Sequence, residues 1–355
     1  DVIVDGLIRA EQFTEAMPVI DTMIAKNPDE LNLHLTRIGI LDALGRKTAV
    51  AESFQALTTQ FPDNDDLQAR LVDWYLANDP AGAEETLRSW ARAGDDGAGV
   101  VLVRLVAERR GPDAAQQEID ALIGAGGDAG VFGAMRAALD FDVGRSDAAI
   151  AAMQALITET PTGAARQRYQ TTLATMLDAT GRRNAAEALL EEVVQENPAN
   201  IEANVLRAGW LLDRGQAHEA VVILRAAIDR EPDNAGILRL LAEAHRQLDE
   251  TDLQARMLAL AVEVSDFASQ DAVRYAAFLQ AADRLGVAID VLQEAQRRSP
   301  TNLTVLIGLG DLYVRTRDWP RADRIEQQMR DVGGPDAVAN ADTLRNKSLV
   351  AQGRN

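Results

Sequence analysis

Residues 201–234 read IEANVLRAGWLLDRGQAHEAVVILRAAIDREPDN, and the spacing inside this stretch decides the fold. Small Ala208 is followed by Leu211, then by Gly215, Ala220, Leu224, Ala227 and Pro232. Apolar and small residues three and four apart share one helical face, so two such runs either side of Gly215 predict helix, turn, helix. Gly215 can take the positive φ at which a helix ends and the chain reverses. Pro232 ends the second helix, because it lacks an N–H and pushes its predecessor out of the α region.

The same register recurs on both sides. The preceding stretch supplies Leu173, Ala174, Leu177, Gly181, Ala186, Leu190, Val193 and Pro198. Downstream come Tyr275, Ala276, Leu279, Ala288, Leu292 and Ala295, then Leu309, Gly310, Tyr313, Trp319, Ala322 and Met329. Pro28 to Pro62 and Pro198 to Pro232 are each 34 residues apart; Pro232 to Pro300 is 68, with Asp266 at the midpoint. Pro62 to Pro161 is 99, close to three units. A fixed period of this size marks a stacked repeat array. Large–small–large positions in the first helix, a small residue early in the second and a closing Pro resemble the tetratricopeptide repeat over nearly the whole chain. The resemblance implies an all-α, right-handed superhelical solenoid of about ten helix-turn-helix repeats.

Each position has a physical reason. Ala208 and Ala220 are small so that paired helices approach closely, and Leu at either would overpack the contact by about 1–3 kcal/mol. Leu211, Leu224 and their equivalents fill the space between units, where truncation to Ala costs about 2–5 kcal/mol. Asn64, Asn200, Asn234 and Asn302, each two residues past a Pro, stand where the next helix needs an N-cap.

The pattern also lapses. Between Pro62 and Pro161 the closing Pro is missing twice, and glycine-rich joints run from Gly94 to Gly99 and from Gly124 to Gly130. Altered curvature or a hinge is expected there. The unit ending at Pro198 is about three residues over period. The expected organisation is 1–94, N-terminal repeats with the first truncated; 95–161, divergent glycine-rich repeats; 162–334, well-formed repeats; and 335–355, a capping helix and tail. Asp342, Arg345, Asn346 and Lys347 give that last helix the polar face of a cap. The opening at Asp1, inside a helix pair and without a Met, reads as a fragment or processed chain.

Composition narrows the function. The chain carries 55 acidic against 36 basic residues, a formal charge of −19, which disfavours nucleic acid and anionic membrane as partners. No stretch is long and apolar enough to span a membrane. With no Cys, disulfides, thiolate metal sites and Cys nucleophiles are excluded. Lys26, Lys47 and Lys347 are the only lysines, and this Arg bias beside abundant Ala, Gly and Asp points to bacterial, GC-rich coding.

Candidate chemistry is thin. The glycines from Gly124 lack the preceding strand of a dinucleotide loop, since Gln116 to Ile123 reads as helix. His34, His218 and His245 fall in different repeats without metal-ligand spacing, and are expected on the surface or along the groove. Asp63, Asp65 and Asp66 lack the Gly and distal Glu of a calcium loop and suit a helix N-terminus. Trp74 and Trp210 occupy equivalent repeat positions and Trp319 a turn; all three are expected to pack in the core. No catalytic residues, metal or cofactor are expected.

The binding surface is expected on the concave face, along first-helix residues that do not pack. The register names Arg168, Glu202, Val205, Arg239, Glu243, Arg246, Gln247, Gln280, Asp311 and Arg315. Arginines in a groove of an acidic protein could hold a carboxylate or an extended acidic peptide by bidentate contacts. Alternatively these charges form pairs on a solvated face, Arg239 with Glu243 having the i,i+4 spacing. Repeat domains of this family that clamp chaperone carboxylates use Lys or Arg with Asn in successive first helices. Here Glu243 stands where that Asn would be, which argues against this role. The resemblance implies a non-catalytic scaffold for a protein or peptide; composition and the opening at Asp1 also make the chain resemble the repeat lipoproteins of bacterial envelope and exopolysaccharide systems, which implies the periplasm or an outer-membrane anchor. The other reading is the substrate-recruiting arm of an enzyme whose catalytic domain lies outside these residues. Such arms carry an Asn ladder, and Leu206 and Leu240 stand at those positions. Self-association through the end repeats is a third possibility.

Overall fold

The computed structural model describes residues 2–61 and 64–354, and every regular element among them is an α-helix. The closing Pro62 and the acidic Asp63 lie outside the described residues. The chain divides into two compact units, Asp1–Tyr169 and Gln170–Asn355. The first holds α1 (Val2–Arg9) and α2 (Phe13–Lys26), α3 (Leu31–Ala43) and α4 (Lys47–Gln60), and α5 (Asp65–Asn78) and α6 (Pro80–Arg92). It continues with α7 (Asp96–Arg110) and α8 (Pro112–Gly124), then α9 (Ala129–Asp142) and α10 (Ser146–Glu159). Helix α11 (Ala164–Ala179) carries the chain across the division. The second unit pairs α11 with α12 (Arg183–Glu196), α13 (Ile201–Asp213) with α14 (Ala217–Ile228), and α15 (Ala235–Gln247) with α16 (Thr251–Val264). The pairs α17 (Ser269–Ala281) with α18 (Leu285–Arg298) and α19 (Leu303–Arg315) with α20 (Trp319–Val332) follow, and α21 (Pro335–Ala351) closes the unit. Ten pairs and a final helix are thus seen, in keeping with the repeat count read from spacing.

Local chemistry sets the boundaries. The side chains of Asn64, Asn200, Asn234 and Asn302 accept from the N–H groups of Leu67, Ala203, Ile237 and Val305 at 3.1, 2.9, 3.1 and 3.2 Å, capping four first helices. Within pairs the turn is built from backbone. Gln216 N–H reaches the Leu211 carbonyl at 2.8 Å and Gly215 N–H the Leu212 carbonyl at 3.0 Å, a Schellman closure. Its left-handed residue recurs every 34 positions as Gly181, Gly215, Asp249, Asp283 and Arg317. Three of these five are not glycine, so the backbone bonds hold the turn where the side chain disfavours it. The three residues by which one unit exceeds the period lie in α11, which has 16 residues against 13 in α13.

The cores follow the repeat. Ala174, Ala186, Ala208, Ala220 and Ala288 are fully buried, and Leu190, Leu224 and Leu292 sit behind them. One apolar cluster runs from Ala208 on α13 through Leu224 on α14 to Leu241 on α15, so each pair completes its core only against the next. At the C-terminus α21 buries Ala337, Ala341 and Leu344. Gly310 admits it: a Cβ there would stand 2.6 Å from Leu344 Cδ2. The polar face of α21 is tied down by Arg330 to Asp342 at 2.6 Å and Lys347 to Asp311 at 2.7 Å.

The glycine-rich joints are packed around one aromatic ring. Phe132, at 1% exposure one of the largest fully buried side chains, lies between them. A Cβ on Gly99 would fall 2.6 Å from Phe132 Cζ, and one on Gly127 2.6 Å from Cε2. These two glycines make room for a ring that packs within the joint.

Candidate functional site

In the second unit a groove of about 810 Å³ opens between α15 and α17, with α16 as its floor. Helix α13 packs directly on α15, and α17 on α19 and through it α21, whereas α15 and α17 share no comparable contact. The repeat pattern explains what lines the opening. The small position early in the second helix is Ala186, Ala220, Ala288 and Ala322 in other pairs, all buried, but Gln254 on α16. A long polar side chain cannot be buried as Ala is without losing its water, so Gln254 stays half-exposed and lines the groove beside Leu258.

Three arginines line it: Arg239 and Arg246 from α15 and Arg274 from α17. Arg246 is held by Glu243, with Nε and Nη2 donating to the carboxylate at 2.7 and 2.6 Å. The Arg246 hydrogen bonds hold the Glu243 carboxyl below the usual carboxylate range, against the opposing effect of burial. Arg239 does not pair with Glu243 as the i,i+4 spacing suggested. It reaches across to α17, 3.5 Å from buried Asp271 and 3.4 Å from Gln270, because Arg246 and Gln247 already occupy Glu243. Arg274 makes no ion pair or side-chain hydrogen bond among the described residues, and it is exposed. Leu240, Leu258 and Phe278 supply apolar wall around it.

Of the ten residues named from the register, Arg239, Glu243 and Arg246 line this groove. Gln247 is half-buried on the same helix and donates to the Leu212 carbonyl at 3.1 Å. Glu202 accepts from Thr171 at 3.0 Å, and Val205 packs against the core of its repeat. Arg315 donates to Asp283 at 3.1 Å and to the Gln280 carbonyl at 3.4 Å, and Asp311 receives Lys347. Arg168 belongs to the first unit. Arg274, Phe278 and Gln254 were missed. Their signal was the interrupted alanine series, in which Gln254 marks the pair that departs from the pattern.

Other candidates resolve into structure. His245 is buried, not on the surface, and its Nδ1 lies 2.6 Å from Glu250. It occupies the repeat position of Leu211, where a side chain faces the core. His34 contacts the Pro28 carbonyl at 2.7 Å, and His218 is exposed. Asp66 pairs with Arg70 on one helix at 2.8 Å. Trp74 and Trp210 behave alike: each indole N–H donates to an aspartate 32 residues earlier, Asp42 at 3.1 Å and Asp178 at 3.0 Å. Trp210 is buried, while Trp74 is half-exposed beside Tyr75. Among the described residues no cluster of three His, Asp or Glu could hold a metal ion, and no helix is long and apolar enough to cross a membrane.

No family model and no curated protein matches the chain. Solved structures do resemble it. A tetratricopeptide repeat protein from Parabacteroides merdae ATCC 43184 is 17% identical over 63% of this chain and 87% of its own, with a TM-score of 0.45. A MamA chain, residues 41 to the end, from Desulfovibrio magneticus RS-1 is 15% identical over 49% of this chain and 98% of its own, at 0.40. YrrB, described as a tetratricopeptide protein with an unusual peptide-binding site, is 14% identical over 50% and 91%, at 0.39. What the chain is similar to in these comparisons is the tetratricopeptide repeat.

Proposed function

We propose that this chain is a protein-binding scaffold whose second unit holds an extended peptide bearing a carboxylate beside an apolar side chain. The observation that carries the reading is Arg274, a guanidinium that makes no hydrogen bond or ion pair among the described residues, though its charge helps to lower the Glu243 carboxyl, set against Leu240, Leu258 and Phe278 in an otherwise acidic chain. A carboxylate there gains a bidentate contact while its neighbour covers apolar wall, and neither Arg239 nor Arg246 need leave its present partner. The Arg-biased composition supports a bacterial origin, and the resemblance to repeat lipoproteins suggests a multi-protein assembly of the envelope, which fractionation of the native protein would check.

The test is anisotropy of labelled peptides containing Phe-Glu or Phe-Lys pairs on the full chain. Binding of the acidic peptide alone is expected, weakened about tenfold by Arg274→Glu and unchanged by Arg225→Glu on exposed α14 surface. Equal weakening by both substitutions would assign binding to net charge and reject the groove.

A further inference from the structure

The first unit carries a second, chemically opposite recess. About 440 Å³ in volume, it lies between α5 and α7 over α6. Its walls are apolar: Val72 from α5, Leu87 and Trp90 from α6, and Val101 from α7, the last 44% exposed although it faces the recess. The charged side chains that line it are both carboxylates, Asp73 and Asp95. Asp95 is committed to the helix, its Oδ1 accepting from Ala98 N–H at 2.9 Å as the N-cap of α7. Asp73 makes no hydrogen bond or ion pair among the described residues, and it is exposed at the rim.

We infer that this recess is a binding site for a peptide segment that presents an aliphatic side chain next to a lysine or arginine. The aliphatic group would cover Val101, whose apolar surface is otherwise left in water, over a floor of buried Val72 and Leu87. The neighbouring cation would meet Asp73, and the half-buried Trp90 ring offers its face to the same charge. An acidic segment would bring its carboxylate against Asp73 and Asp95, so charge selects between ligands that the apolar walls accept equally. Arg104, exposed one turn beyond Val101 on α7, forms no ion pair with Asp73 and is the base that a ligand cation would have to tolerate. The inference is independent of the Arg274 groove, which lies in the other unit.

The experiment is a titration of the isotopically labelled full chain with three blocked peptides, carrying Leu-Lys, Leu-Glu or Ser-Lys pairs. Amide shifts in α5 and α7 and the Trp90 indole N–H signal, assigned by its loss in Trp90→Phe, are the readout. Leu-Lys peptide is expected to shift these signals with saturation. Asp73→Asn should weaken it about three- to fivefold, Arg104→Ala should strengthen it, and Arg274→Glu should leave it unchanged. Equal saturation by Leu-Glu would overturn the charge selection, and equal saturation by Ser-Lys the apolar pocket. Shifts absent for all three at millimolar peptide, in a chain whose Trp90 signal shows it folded, would overturn the site itself.

Discussion

The ring of Phe132 between two glycines allows a test in which the same substitution changes sign. Gly99 lies inside α7, where Ala normally gains about 0.5–1 kcal/mol over Gly by restricting the unfolded chain. Here the added Cβ would stand 2.6 Å from Phe132 Cζ and 3.4 Å from Leu122 Cδ1. The ring cannot retreat toward Gly127, whose own missing Cβ leaves only enough room for Cε2 at 2.6 Å. Forcing an extra carbon into a packed core costs about 1–3 kcal/mol, so Gly99→Ala should destabilise by about 1–2 kcal/mol once the helix gain is subtracted. Phe132→Leu removes the ring edge that causes the clash. In that background Gly99→Ala should lose its cost and show the ordinary gain, giving a coupling of at least about 1 kcal/mol in the double-mutant cycle. Urea unfolding of the full chain, followed through the midpoint because repeat arrays need not unfold in one step, provides the assay, with hydrogen exchange of α7 and α9 amides locating the change. If Gly99→Ala stabilises the parent, or costs the same with Leu at 132, the glycines are not there for the ring and the packing account of the joint fails.

Two further perturbations probe the turn and the inter-repeat ties. Arg317 takes the left-handed conformation that Gly181 and Gly215 occupy in equivalent turns, so Arg317→Gly should raise thermal stability by about 0.5–1 kcal/mol while Gly215→Ala lowers it by a similar amount. No gain at Arg317 would mean that its side chain contributes something the turn geometry does not show. Hydrogen bonds from Arg183, and secondarily from Trp210, hold the Asp178 carboxyl below the ordinary aspartate range. Its contribution is therefore present above the ordinary value of about 3.9 and is lost as pH falls from there through the depressed folded value. Asp178→Asn should flatten that limb of the stability–pH curve, and an unchanged limb would count against the tie.

The periodic features were legible because identical physics repeats them. Four asparagine caps, the 34-residue recurrence of the turn and the buried alanines each arise from a local requirement that every pair must meet. What escaped was set by departures from the repeat, which periodicity averages away. Gln254 breaks the alanine series and marks the groove, yet the register pointed to Gln280, Asp311 and Arg315, whose side chains or backbone are engaged at other turns. The Arg239–Glu243 spacing was right for a pair within one helix, but Arg246 competes for the same carboxylate and Asp271 lies across the cleft. His245 sits at a leucine position, and a residue type usually found outside gave no hint that a neighbouring Glu250 would let it lie within.

The two indoles bonded to preceding aspartates give the protein built-in optical labels. Trp74 belongs to one compact unit and Trp210 to the other, and each loses its aspartate contact when its own pair of repeats separates. With Trp90, Trp319 and, in turn, Trp210 or Trp74 replaced by Phe, emission from the two single-tryptophan versions would follow each unit's opening separately. A ligand settling in one groove could then be assigned by which colour change, and which unfolding midpoint, it moves.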